Sequence, residues 1–238
     1  MFCLWGSLMT RRYALIGTGK TGSQLPGLLD ADEHVTQFNR SNPVTLEALK
    51  GHDAVICFVP GPVLMEMLPT LKASQLPVIS GATGLSWPAE LDSQLKADGV
   101  TWVWAHNFAL GMNLVRQLLQ VVGSASELLP QASLQLHEIH HTAKLDAPSG
   151  TALSWKDWLG QDVDVSYQRI GDVIGDHSLT ITTPTEKITI QHQAQDRAIF
   201  ATGALWACRY ILNNTLPAGL IPFEQLTNIS MQGNHNAN

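Results

Sequence analysis

The feature that most narrows the fold is a glycine run, Gly17-Thr18-Gly19-Lys20-Thr21-Gly22. It lies directly after the apolar stretch Tyr13 to Ile16 and at the head of a helical segment, Thr21 to Leu29. In a G-x-G-x-x-G turn between strand and helix each glycine answers a physical demand: a tight turn, close backbone approach to a pyrophosphate, and close packing of helix on strand. The pyrophosphate would rest on free N–H groups at the helix start, where the dipole favours an anion. A glycine run alone is a weak signal, but here a second strand candidate, His34 to Phe38, ends about 20 residues on, as a dinucleotide site requires. Gly17, Thr18, Gly19, Lys20, Thr21 and Gly22 are therefore candidate cofactor contacts. Pro26 fits that first helix poorly, because an internal proline removes a hydrogen bond and kinks the chain.

From Tyr13 onward short apolar runs alternate with helix-sized segments, the pattern of a parallel sheet with crossover helices. The strand candidates are Tyr13 to Ile16, His34 to Phe38, Ala54 to Val59, Pro77 to Ser80 and Thr101 to Ala105. Helical segments are expected at Thr45 to Lys50, Val63 to Ala73 and Pro88 to Ala97. After Phe108 the pattern changes. Leu110 to Val122 is apolar at helical spacing, and strand-like runs follow at Ser133 to His140, Val163 to Ile170, Ser178 to Thr183 and Lys187 to His192. Several of these succeed one another without a helix between, which implies an open mixed or antiparallel sheet. Ile199 to Leu212 is helical again, and Asn228 to Asn238 is expected to fray. The expected fold is α/β: a Rossmann-type parallel-sheet domain from residues 1–108 with 199–238, and an α+β domain with an open mixed sheet over 109–198.

The end of the second strand bears on which nicotinamide is used. Sites for NAD place Asp or Glu there to hold the ribose 2′-hydroxyl, whereas this chain has Asn39-Arg40-Ser41 after Phe38. Arg40 can pair with a 2′-phosphate and Asn39 can hydrogen-bond it without adding negative charge, so NADPH is expected in preference to NADH. The alternative is that Arg40 is a solvated loop residue.

Composition removes several other classes. A net charge of −6 with 14 Lys plus Arg leaves no basic surface for nucleic acid. No apolar run approaches the roughly 20 residues of a bilayer span. Cys3, Cys57 and Cys208 are odd in number and far apart, so neither a disulfide framework nor a metal site is indicated, and a reducing compartment, the cytoplasm, is expected. Residues 1–8 read as a short extension or a start-site artefact ahead of Met9.

The most distinctive stretch runs Glu138-Ile139-His140-His141-Thr142-Ala143-Lys144-Leu145-Asp146-Ala147-Pro148-Ser149-Gly150-Thr151-Ala152. Adjacent histidines on a strand point to opposite faces, so they make a poor chelate. Lys144 follows in a turn, and Pro148-Ser149-Gly150 opens a helix whose first N–H groups can receive a carboxylate. Taken singly, each histidine reads as structural and Ser149 as a plain helix cap.

Together, His-His-x-x-Lys-x-Asp-Ala-Pro-Ser-Gly-Thr-Ala closely resembles the signature of the dihydrodipicolinate reductase family, the 4-hydroxy-tetrahydrodipicolinate reductases of lysine and diaminopimelate biosynthesis. The resemblance covers nearly the whole chain in order. It takes in the glycine turn, Gly81-Ala82-Thr83-Gly84, Asn107-Phe108, the signature, Arg169 to His177 and the Arg197 to Gly203 region. It implies a nicotinamide-binding first domain, a second domain that binds a small dicarboxylate and builds a homotetramer, and His140 and Lys144 as acid/base residues. It further implies that His141, Lys144, Gly150 and Thr151, with Ser149 beside them, hold the substrate. Gly81, Ala82 and Thr83, with Ala105, His106, Asn107 and Phe108, would contact the cofactor near its nicotinamide end.

The implied reaction is hydride transfer from nicotinamide C4 to a conjugated cyclic imine, then protonation of the enamine carbon with Lys144 as first choice of donor and His140 assisting. Three departures stand out: the glycine turn is one residue shorter than the family's usual G-x-x-G-x-x-G, Thr142-Ala143 replaces residues that are often basic, and His106 stands where a small residue or proline is common. The competing readings are a related two-domain imine or amino-acid dehydrogenase and a non-catalytic NADP(H)-sensing protein, which fold alone does not exclude.

Overall fold

A computed structural model describes residues 10–233. The chain divides into two compact units: one is the chain up to Ala109 together with the chain from Ala198 onward, the other is Leu110–Arg197. In chain order the first unit supplies β1 (Arg11–Ile16), β2 (Glu33–Phe38), α1 (Leu46–Leu49), β3 (Ala54–Cys57), α2 (Gly61–Ala73), β4 (Val78–Ser80), α3 (Leu91–Asp98) and β5 (Thr101–Trp104). The second supplies α4 (Leu110–Ser124), β6 (Ser133–His140), α5 (Gly150–Leu159), β7 (Val165–Arg169), β8 (Gly175–Thr182) and β9 (Lys187–Ala194). The first unit then resumes with α6 (Ala198–Asn213), β10 (Gly219–Pro222) and α7 (Phe223–Gly233).

The first unit is a six-stranded sheet in the order β10-β5-β4-β3-β1-β2, parallel throughout. Its central strands are apolar on both faces because helices cover both: Ala54, Val55, Ile56 and Cys57 of β3 are all fully buried. The chain order runs outward in both directions from the β1/β3 boundary. That is where the loops after β1 and β3 diverge and leave a crevice at the strands' carboxyl ends.

Two expectations are corrected here. The segment after the glycine run is a 3-10 helix, Gly22–Leu28, and not an α-helix; Pro26 sits inside it, and neither Pro26 nor Gly27 favours the α form. The tail expected to fray is helical as far as Gly233, where α7 turns Phe223, Leu226 and Thr227 inward. Residues 1–8 and the chain beyond Gly233 lie outside the described residues. The last strand of the sheet, β10, has only four residues and ends on Pro222, too short a pattern to read ahead.

Glu33 of β2 is 7% exposed and charged. It accepts from the Tyr13 hydroxyl at 2.6 Å, from Arg209 Nε of α6 at 2.8 Å and from the Asp30 N–H at 2.9 Å. Burial alone would raise its pKa, but the Arg209 guanidinium and the Tyr13 hydroxyl outweigh that and hold it at about 2. A depressed folded-state pKa gives stability that is complete above the ordinary value near 4.5 and is lost as pH falls towards about 2. At 1.36 kcal/mol per pK unit the full contribution is about 3 kcal/mol. We expect urea unfolding to show the wild type losing most of this between pH 5 and about pH 3, and Glu33→Gln to be less stable at neutral pH with a shallower acid dependence. Parallel acid curves for the two proteins would rule the contribution out.

The second unit is a mixed four-stranded sheet, β7-β6-β8-β9, with β6 parallel to β7 and antiparallel to β8, and β8 antiparallel to β9. Helices α4 and α5 pack together, and Trp155 of α5 donates its indole N–H to Met112 Sδ of α4 at 3.1 Å. Strand alternation puts Leu136, Glu138 and His140 of β6 with His177 and Leu179 of β8 on the buried face. The other face carries Gln135, His137, Ser178, Thr180 and Gln191, a polar surface. Helix α5 is capped by Ser149, whose hydroxyl accepts from the Ala152 N–H at 3.2 Å, and ends on Gly160 at φ 64°.

Candidate active site

The candidate residues gather in two places, one in each unit. In the first, Gly19, Lys20, Thr21 and Gly22 line a hollow of about 260 Å³ with Phe58, Val59 and Pro60 after β3 and Gly81 and Thr83 after β4. The glycines are there for close approach. A Cβ at Gly17, whose φ is +95°, would stand 2.2 Å from the Phe58 carbonyl oxygen, and one at Gly22 would stand 1.9 Å from the Gly17 carbonyl oxygen. A Cβ at Gly19 would meet no protein atom within 4 Å, so that residue leaves bare backbone facing open space. Bare backbone, one lysine and no carboxylate around a crevice at the β1/β3 boundary fit a dinucleotide's pyrophosphate.

The other residues expected near the cofactor divide. Ala82 is 4% exposed, Ala105 5% and Phe108 2%, and Phe108 packs against Phe223 with ring centroids 4.8 Å apart. Their side chains belong to the core, so only their backbone can face a ligand. His106 is exposed and lies edge-on to Trp104 at 5.4 Å. Asn107 Oδ1 accepts from the Ala109 N–H at 2.8 Å. After β2, Asn39 Oδ1 accepts from both the Ser41 and Asn42 N–H groups, at 2.9 and 3.1 Å, so its side chain shapes the turn that presents the exposed Arg40.

In the second unit the distinctive stretch folds into a compact arrangement at the end of β6. His140 is the last residue of that strand and is 7% exposed, whereas His141 begins the following turn and is half-buried. The turn closes with the Lys144 N–H donating to the His141 carbonyl at 3.1 Å. Lys144 Nζ lies 2.7 Å from Asp146 Oδ1, and the Gly150 N–H at the start of α5 is directed to the same carboxylate. The lysine contact holds the Asp146 carboxyl below its usual range. Lys144 and the helix start thus converge on one carboxylate, the geometry proposed for an anionic substrate, and in the free protein Asp146 supplies it.

Four residues not singled out for a role complete the arrangement. Glu138 is fully buried, and its Oε1 accepts from the Ser149 N–H at 2.8 Å and from Arg169 at 3.1 Å. Its Oε2 lies 3.0 Å from His140 Nδ1 and 3.6 Å from His177 Nε2. Burial would raise the Glu138 pKa, but the Ser149 and Arg169 contacts lower it on balance. Burial lowers both histidines, His177 to about 4, which favours their neutral forms beside the Glu138 carboxylate. Gly175 of β8 stands against the His140 ring, where a Cβ would come within 3.2 Å of Nε2.

The family model for the C-terminus of dihydrodipicolinate reductase matches residues 111–226. A 4-hydroxy-tetrahydrodipicolinate reductase of Thermosipho africanus is 39% identical over 53% of this chain and 56% of its own length. One from Anaplasma marginale is 32% identical over 71% of this chain and 70% of its own length. The chain belongs to the 4-hydroxy-tetrahydrodipicolinate reductase family. A member from Christiangramia forsetii aligns at 29% identity over 85% of this chain and 92% of its own length. Among solved structures, a dihydrodipicolinate reductase from Paenisporosarcina sp. TG-14, with dipicolinate bound, superposes with a TM-score of 0.73 over 93% of this chain and 100% of that one at 17% identity, a likeness of fold.

Proposed function

We propose that this chain reduces 4-hydroxy-tetrahydrodipicolinate to tetrahydrodipicolinate with a reduced nicotinamide, the 4-hydroxyl leaving as water to give the conjugated imine that accepts the hydride, a step of lysine and diaminopimelate biosynthesis. The observation that carries the reading is the meeting of Lys144 and the start of α5 on a single carboxylate, in a chain of this family. A bound nicotinamide supplies the hydride, and the residues around the hollow after β1, β3 and β4 hold its pyrophosphate. The chain's own work is to place and neutralise a dicarboxylate and to deliver a proton. Lys144 exchanges Asp146 for a substrate carboxylate, which Gly150 and Thr151 at the helix start and His141 help to hold. Lys144 then protonates the enamine carbon left by hydride addition. His140, whose pKa burial lowers, stands beside Lys144 and assists the proton transfer.

Loss of NADPH absorbance on adding freshly generated substrate tests the reading directly, and a protein that binds NADPH without oxidising it would be a binding module instead. NADPH preference rests on Arg40, the cation after β2, where NAD sites carry an acid. Arg40→Ala should raise the KM for NADPH several-fold while leaving that for NADH nearly unchanged, because only the former loses a charge-assisted contact. Equal effects on the two cofactors would remove Arg40 from the site. A homotetramer built through the sheet of the second unit follows from the family resemblance, and a cytoplasmic location from the odd, scattered cysteines.

A further inference from the structure

We infer that Glu138 is a positioning residue: its buried carboxylate fixes which ring nitrogen of His140 carries the proton and ties that histidine to the capped start of α5. The inference rests on the reading of His140 given above. Glu138 and His140 are two apart on β6 and so share a face, the buried one. Oε1 of Glu138 is occupied by the Ser149 N–H and Arg169. Oε2 and His140 Nδ1 are both buried without a hydrogen-bond partner, yet they stand 3.0 Å apart. An unmade hydrogen bond between two buried groups is costly, and a small turn of the imidazole satisfies both atoms at once. Nδ1 then carries the hydrogen, and Nε2 is left with its lone pair. The ring has other neighbours in place: His177 lies edge-on at 4.9 Å, and the bare Gly175 leaves room beside Nε2.

The same carboxylate links two parts of the site. Through Ser149 it holds the residue that caps α5, and Ser149 Oγ stands 3.3 Å from His177 Nε2. A shift of Glu138 therefore moves His140 and the carboxylate-binding helix start together. Two histidines and a glutamate with ligand atoms within 4.8 Å of one another are also the donor set of a divalent cation. Here Arg169 already neutralises Glu138, and Lys144 adds a second positive charge near His140, so a dication would enter against two cations. The groups facing His140 are Glu138 on its own strand, Lys144 and Asp146 from the following loop, Arg169 from β7 and His177 from β8.

Long-range ¹H–¹⁵N correlation spectra of histidine-labelled full-length protein at neutral pH test this without reference to activity. His140 is expected as the neutral tautomer protonated at Nδ1. A wild-type signal protonated at Nε2, or an imidazolium, would overturn the inference whether or not any variant folds. In Glu138→Gln, which can offer the ring a donor as well as an acceptor, the tautomer is expected to mix or reverse. Turnover should fall about 10²-fold, the lower end of an acid/base contribution, with the KM for substrate changed far less. Glu138→Asp, which keeps the charge, should recover part of the turnover. A fall in thermal stability and turnover with the tautomer unchanged would make Glu138 structural only. His140→Gln examines the catalytic reading separately: full turnover there would sink the role of His140 while leaving the spectral result to stand on its own.

Discussion

Lys144→Ala is expected to lower turnover by about 10² to 10⁴ and also to raise the KM for the dicarboxylate, because one side chain is asked both to pair with the substrate and to supply a proton. The two duties separate in Lys144→Arg. A guanidinium pairs with a carboxylate at least as well as an ammonium does, but it does not give up a proton near neutral pH. The arginine variant should therefore regain much of the substrate binding and little of the turnover. NADPH affinity, measured by fluorescence titration, should hardly change in either variant. In the free protein Lys144 is already engaged, with Asp146 Oδ1 at 2.7 Å, so the proposed substrate binding would exchange one carboxylate for another rather than capture an isolated cation. An alanine variant with near-normal turnover would move the proton source to solvent or to the histidines.

The parts of this site that could be read ahead share one property: their meaning is local. The glycine run between its flanking strands suggests a phosphate-binding turn from one short contiguous pattern. Ser149 before Gly150 announces a helix cap for the same reason. Glu138 has no such local reading. As a single glutamate it suggests a solvated side chain, and only its alternation with Leu134 and Leu136, which places it on the strand's inward face, hints that it is buried.

His177 and Arg169 join it by pairing register, since Glu138 lies opposite His177 on β8, and His140 lies opposite Arg169 on β7. Register between strands that far apart in the chain is a tertiary fact that periodicity does not contain. Tertiary packing also decided the first crossover. The proline that fits an α-helix poorly is accommodated there by a 3-10 helix that buries Leu25.

Two alanine substitutions in one loop should separate folding from cofactor binding. At Gly17 a methyl group would stand 2.2 Å from the Phe58 carbonyl oxygen, on backbone with φ +95°, so either β3 gives way or the turn is rebuilt. Strain of this kind costs about 1–3 kcal/mol. For a chain of this size that is a fall in Tm of roughly 2–10 °C, and it displaces the backbone that faces the pyrophosphate. At Gly19 a methyl group meets no protein atom within 4 Å, so the fold has nothing to resist. Its only cost is to the ligand, whose phosphate would lose close contact with the backbone. Gly17→Ala is therefore expected to lower both Tm and NADPH affinity, and Gly19→Ala to leave Tm within a degree or so while weakening NADPH at least several-fold by titration. A Gly19→Ala protein that binds NADPH as tightly as wild type would place the pyrophosphate elsewhere than on this turn.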